Sequence, residues 1–471
     1  MASAIVWFRR DLRLADNPAL WAALDAGLAP IPVYIHAPGE DAPWPAGAAS
    51  NAWLARSLRA LDADLRALGS RLVVLRGPSL PVLEGLVAAT QAEAVFWNRL
   101  YEPAALARDK HVKQALRQRG LRADSGNAAL LAEPWTVATL GGEPYRVFTP
   151  FWKNAGRAVA DLRPQPAPTA LPAVPAGAQG LGVDELALEP LLDWDRGFWQ
   201  RWQPGEAGAA EMLDAFLDGA ARGYAQQRNL PDRAGTSRLS PHLHFGEISP
   251  RQIARRILDA GSAIDEADRR QYLAELGWRE LAHHLLFHFP HTPERDLGER
   301  FARFRWIEPE PALLRRWQRG RTGIPLVDAG MRELWHTGWM HNRVRMVVAS
   351  VLTKNLRYHW RHGARWFWDT LVDADLAQNT QGWQWSAGTG ADAAPYFRIF
   401  SPVSQAQRFD PAATYVRRWV PELAKLPTPA IFEPWRHQGL LRELAPAYPP
   451  TPMVDLRASR EAALSAHQQS K

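Results

Sequence analysis

Short apolar runs alternate with helical periodicity over the first 130 residues. AIVWF (4–8), IPVYIH (31–36), RLVVLRG (71–77) and AVFWN (94–98) are brief, rich in β-branched and aromatic side chains, and bounded by turn-forming residues. Between them, NAWLARSLRALDADLRALG (51–69) repeats its apolar positions every three or four residues. Continuous apolar runs suit strands buried on both faces, and intervening helices supply the crossovers of a parallel sheet. The pattern predicts a Rossmann-like α/β domain over residues 1–130. Such a domain usually binds ligands beyond the carboxyl ends of its strands. No G-x-G-x-x-G follows any of these runs, so a dinucleotide site of the usual kind has no support.

The text then changes. RPQPAPTALPAVPAGAQGLG (163–182) is too rich in Pro, Ala and Gly to hold a helix or strand for long, and 131–199 reads as an interdomain connection. From 200 to 471 the period is helical almost throughout, as in SPRQIARRILDAG (249–261), DRRQYLAELGWRELAHHLLFHF (268–289), MRELWHTGWMHNRVRMVVASVLTKNL (331–356) and ARWFWDTLV (364–372). An α/β domain is thus followed by a large all-α one. One stretch, DADLAQNTQGWQWS (373–386), lacks an apolar stripe and reads as a polar loop that collects acids, amides and two indoles.

Composition narrows the class. The 471 residues carry 56 Lys+Arg against 49 Asp+Glu, a net +7 that favours a polyanionic partner without requiring one. With no cysteine, disulfides, thiol chemistry and Cys-ligated metals are excluded, and a cytoplasmic location fits. The N-terminal apolar run is too short for a secretion signal, and no stretch approaches the ~18 apolar residues of a membrane helix.

Four stretches could carry chemistry. GTSRLS (235–240) gathers a glycine, three hydroxyls and an arginine, which suits either a phosphate cradle or an ordinary helix cap. Glu275, Trp278, Arg279 and Ala282 share one helical face, as a cleft wall or as a solvated Glu275–Arg279 pair beside a core indole. Asn342, Arg345 and Met346 share another, able to meet a flat heteroaromatic ring or to pack with a solvated arginine edge. His284 and His288 stand at i and i+4 with no third metal ligand apparent, which favours a structural role.

Taken in order, VWFRRDLRLADNPAL (6–20), GTSRLSPHLHFGEISPRQ (235–252), ELGWREL (275–281), TGIPLVDAGMRELWHTGWMHNRVRM (322–346), DADLAQNTQGWQWSAGTGADAAPYFRIFSPVSQ (373–405) and FEPW (432–435) resemble the DNA photolyase/cryptochrome flavoproteins, within them the class I cyclobutane pyrimidine dimer photolyases. The resemblance implies an antenna domain, a linker and a helical FAD-binding domain, acting as a monomer on UV-damaged DNA. It also implies light-driven repair, in which excited reduced FAD lends an electron to a flipped-out dimer.

Carried over by position, the resemblance implies FAD contacts from Tyr224, Thr236, Ser237, Arg238, Leu239, Ser240, Tyr272, Arg279, Asn342, Arg345, Asp373, Ala374 and Asp375. Asn379 would face flavin N5, and Glu275 would hydrogen-bond the dimer; these two are the implied catalytic residues. Trp278 and Trp385 would wall the lesion and Met346 would touch it, with Arg279 and Asn342 also near. Arg343, Arg398 and Gln405 would hold the DNA backbone, and Trp383, Trp360 and Trp306 would pass electrons to the flavin. Members that bind folate carry an Asn-Glu pair where this chain has Ala104 and Ala105, which counts against folate in that mode and leaves deazaflavin, folate held in another way, or no antenna open. A cryptochrome-like light sensor is the second reading, opposed by Asn379 and by the absence of a long tail after Val454. A (6-4) photolyase is the third, opposed by Asn342 and Met346 where that group carries histidines.

Overall fold

The computed structural model describes residues 2–301, 303–392 and 397–470, so 393–396 of the last long motif lie outside it. Five parallel strands, β1 (Ser3–Phe8), β2 (Ala29–His36), β3 (Val73–Arg76), β4 (Ala94–Asn98) and β5 (Arg122–Gly126), form one sheet in the order β3-β2-β1-β4-β5. Helices α1 (Pro18–Asp25), α2 (Ala48–Ala67), α3 (Ser79–Thr90) and α4 (Pro103–Gln118) make the crossovers. Every residue of β1 is buried, as a central strand covered on both faces must be. One face packs Ile5, Trp7 and Val95 against Val112 and Leu116. The other packs Val6, Phe8 and Trp53 in a core that continues into Phe198, Phe245 and Trp339. Four strands match the apolar runs. The fifth, RADSG, carries almost no apolar residue because it is an edge strand, mostly half-exposed.

The interdomain segment is less structureless than its composition suggests. It holds helix α5 (Phe148–Ala155), then runs back over the α/β domain, where Leu171 N–H donates to Leu68 O (2.8 Å) and Leu181 N–H to Val74 O (2.8 Å). The second pairing covers the edge of β3.

Beyond it the helix Glu266–His288 packs against α5 and against Leu376–Ala387. The latter corrects the loop expected at 373–386. Asp375 caps it by accepting from Gln378 N–H at 2.8 Å, and Gly388 (φ +86) ends it. Its periodicity is hidden because polar and apolar residues alike are buried, among them Asn379, Thr380, Gln381, Trp383 and Gln384. The run 331–356 likewise breaks. Helix Pro325–Thr337 stops at Gly338 (φ +66), where a Cβ would lie 2.7 Å from Val372 Cγ1, and Asn342–Ser350 restarts under a His341 cap.

Candidate functional site

A cavity of about 490 Å³ opens between the helices Glu266–His288, Asn342–Ser350 and Leu376–Ala387. Its lining includes Glu275, Trp278, Asn342, Arg343, Arg345, Met346, Asp373, Asn379, Trp383 and Trp385. Helical spacing explains the convergence, since each helix turns one polar stripe inward.

Ion pairs organise the walls. Arg345 Nη2 lies 2.8 and 3.0 Å from the two Asp373 carboxylate oxygens. The expected Glu275–Arg279 pair does not form: Glu275 pairs with Arg228 (2.6 Å) and accepts from Gln271 Nε2 (2.7 Å), while Arg279 donates to Ala129 O (2.7 Å). Burial raises the Glu275 carboxyl above its usual range, with Arg228 pulling the other way. Asn379 gives its amide N–H to Ala364 O (2.9 Å), which leaves its carbonyl oxygen for the cavity. Asp375 stands behind this wall, buried, 3.3 Å from His283 Nε2. Burial favours its neutral form but His283, His244 and Arg279 outweigh it, and the carboxyl falls well below its usual range.

A second group sits beside the cavity. Tyr272 Oη donates to Ser237 Oγ (3.0 Å), Tyr224 meets Tyr272 edge-on at 5.1 Å, and Trp339 Nε1 donates to Ser240 Oγ (3.2 Å). Thr236 and Ser237 are partly exposed, Ser240 is exposed, and Leu239 is buried beneath them. Arg238, in a left-handed conformation (φ +54), keeps a buried Nε without a partner among the described residues. Hydroxyls and an unmatched guanidinium beside an aromatic, amide-bearing cavity suit a nucleotide with a diphosphate and a flat ring system.

The indoles divide. Trp383 packs edge-on against Phe367 (5.0 Å) and Trp317 (6.2 Å). Trp360 reaches Trp306 through the intervening His359 ring, with centroid distances of 5.4 and 5.1 Å. No ring contact joins Trp383 to Trp360 directly among the described residues, but Trp383, on Leu376–Ala387, packs against the Trp360–Thr370 helix, where Gly363 makes room for its ring. Arg398 lies over Phe400, which tilts against Trp385; Gln405 keeps a buried oxygen without a partner among the described residues. His284 and His288 are held by the interdomain connection, through Tyr145 N–H (3.1 Å) and Pro134 O (3.1 Å).

A second cavity, about 290 Å³, lies at the carboxyl ends of β1 and β2, lined by Arg9, Arg10, Ala104, Ala105, His244 and Trp368 among others. Ala374 and Leu376 face it while Asp373 faces the first, so four residues, 373–376, form the partition between the two.

Two family descriptions match in sequence: "DNA photolyase" over residues 4–173 and "FAD binding domain of DNA photolyase" over residues 272–469. The chain is 45% identical to a deoxyribodipyrimidine photo-lyase of Agrobacterium fabrum, over 99% of this chain and 98% of that one. The chain belongs to the DNA photolyase/cryptochrome family. It also shares 40% identity with cryptochrome-1 of Arabidopsis thaliana, over 92% of this chain and 64% of that one. The crystal structure of a bacterial class III photolyase from Agrobacterium tumefaciens superposes with a TM-score of 0.95 at 44% identity, covering 100% of this chain and 98% of that one. The motifs had resembled class I members, whereas this solved family member is described as class III. The family's cofactor is FAD, and the residues of the first cavity fit it by chemistry. No helix among the described residues is long and apolar enough to cross a membrane.

Motif reading missed Arg228, Gln271 and Asn229 in the cavity wall. The signal available was weak: Arg228 stands four residues beyond Tyr224, one turn along the same short helical stretch.

Proposed function

We propose that the protein is a deoxyribodipyrimidine photo-lyase that repairs cyclobutane pyrimidine dimers in DNA under light. The observation that carries this reading is the single cavity in which Glu275, Trp278, Met346 and Trp385 stand with Asn379 and the Arg345–Asp373 pair. Residues suited to a flat, apolar, carbonyl-bearing lesion thus adjoin residues suited to a flavin. Held in this cavity beside Asn379 and the Arg345–Asp373 pair, reduced FAD would supply the light-driven electron transfer that repair of the dimer requires.

The chain does the rest. The Thr236–Ser240 turn with Arg238, Tyr224 and Tyr272 holds the diphosphate and ribityl portion. The cation of Arg345, fixed by Asp373, favours an anionic ring beside it. Glu275 hydrogen-bonds the pyrimidine edge, where its placement matters most as charge develops on the lesion. Trp278 and Trp385 exclude water from the flipped bases, and Arg343, Arg398 and Gln405 position the strand by its phosphates. Trp306, Trp360 and Trp383 serve the resting flavin as a path for electrons from the surface. The second cavity is the candidate place for an antenna chromophore, and extraction with absorbance would show whether it holds folate, deazaflavin or neither.

With a reductant and near-UV or blue light, the purified protein is expected to restore thymine absorbance to oligothymidylate carrying dimers. Absorbance that stays flat with FAD bound and reduced would overturn the repair reading. It would favour a light-sensing role instead, a reading supported by the 40% identity to a plant cryptochrome.

A further inference from the structure

The interdomain connection touches the lesion side of the first cavity through one ring. Phe148, the first residue of α5, lies on Trp278 with centroids 4.0 Å apart and planes within 6°. Its other neighbour is Trp152, one turn later, stacked at 6.4 Å and 14°. Trp152 can lie there because residue 277 is glycine: a Cβ would stand 2.6 Å from the Trp152 ring. Two near-parallel rings, Phe148 and Trp152, therefore back the indole that lines the cavity.

The same few residues also reach the segment beyond the helix Leu376–Ala387. Arg146 O accepts from Asp392 N–H at 3.1 Å, and the Asp392 carboxyl, raised by burial, is drawn back down by the Phe148 backbone N–H at the N-terminal end of α5. Asp392 follows Ala391, which lines the cavity and packs in the same apolar cluster as Phe148 and Trp278. Residues 146–148 thus hold the Trp278 ring by stacking and the Ala391–Asp392 segment by a backbone bond. Val147 between them is exposed, so nothing on the interdomain segment's outer side requires this arrangement.

We propose that Phe148 and Asp392 are positioning residues for the lesion: together they clamp the Trp278 ring to the Ala391 segment and set the slot that receives the flipped dimer. Phe148 acts through Trp278, whose ring plane it fixes, and Asp392 acts through Phe148, whose backbone it holds. A parallel pair at this distance leaves the Trp278 indole one orientation and so removes ordering that the lesion would otherwise have to supply on binding. Undamaged duplex, which leaves its bases stacked, does not enter the slot and does not sense the clamp.

The inference rests on the repair reading and is tested by a ratio. Affinities of the flavin-loaded protein for dimer-containing and for undamaged DNA are measured at one salt concentration, for wild type, Phe148→Leu, Phe148→Tyr and Asp392→Ala. Phe148→Leu keeps an apolar side chain and removes the flat ring; it is expected to lower the dimer preference about threefold to tenfold while binding to undamaged DNA stays unchanged. Phe148→Tyr should keep the preference, and Asp392→Ala should lower it in the same direction. A purely structural role would instead lower flavin content and both affinities together. Unchanged preference in both Phe148→Leu and Asp392→Ala would overturn the clamp. A wild type without dimer preference would overturn the repair reading itself and the clamp with it.

Discussion

His341 shows what burial among arginines does to one side chain. Its Nδ1 accepts from Arg343 N–H (3.2 Å) and caps the helix Asn342–Ser350, and it is 3% exposed. Burial, then Arg238, Arg343 and Arg345, push its pKa down from 6.5 to about 3. Between those values the unfolded chain binds a proton that the folded chain refuses, so stability falls as pH falls through the window. His284 and His359, both lowered to about 4 chiefly by burial, act in the same direction. The urea midpoint is expected to decline from about pH 7 to about pH 5, and His341→Asn, which keeps an N-cap acceptor, should flatten part of that decline. An equal slope in the variant would remove His341 from the account. At this scale the sequence was legible where chemical types at a fixed helical offset meet in one cavity, as for Glu275 and Trp278 or Asn342 and Met346. It was silent on partners supplied by other segments: Arg228 takes Glu275 and Phe148 takes Trp278, and no spacing announces either.

Elements were legible in proportion to how unevenly they bury their faces. The β1 and β4 runs stand out because they are apolar throughout, whereas β5 and the helix Leu376–Ala387 carry no contrast between faces and escaped the periodicity. That helix is fixed by close packing instead. A Cβ on Gly363 would come within 2.0 Å of the Trp383 ring, so the Trp360–Thr370 helix can meet it only while residue 363 is glycine. Gly363→Ala is therefore expected to destabilise the folded protein by about 1–3 kcal/mol through overpacking, seen as a lower urea midpoint. Because the displaced group is Trp383, light-driven reduction of the bound oxidised flavin should slow in the same variant, while repair by chemically reduced protein should suffer less. Wild-type behaviour in both measurements would contradict the packing of Trp383 on that helix.

At the scale of the molecule, the net charge of +7 is too small and too dispersed to specify a partner, but its local distribution is not. The Arg343 guanidinium is held below its usual range by burial and then by Arg228, Arg398 and Arg408, so four cations crowd together, with Arg228 and Arg343 in the cavity lining. Glu275 neutralises only Arg228, and Arg343 finds Asn229 (2.6 Å) and the Phe409 ring rather than an acid. Mutual repulsion of this kind is relieved when phosphates replace water around the group, and each phosphate neutralised releases condensed counterions. A plot of log affinity against log salt should fall with a slope of about −3 to −4 if all four engage the strand. Arg398→Ala, remote from the flavin residues, should make that slope shallower by about 1 without changing flavin content. The fold puts Arg228 and Arg343 of this cluster in the lining of the same cavity that holds Trp278 and Trp385, so the salt-dependent part of binding should be common to damaged and undamaged DNA, and the lesion's share should be independent of salt. Parallel lines for the two DNAs are the expected result. A flat dependence would show that the cationic cluster does not contact phosphate, and lines that diverge with salt would place the discrimination in the charges rather than in the slot.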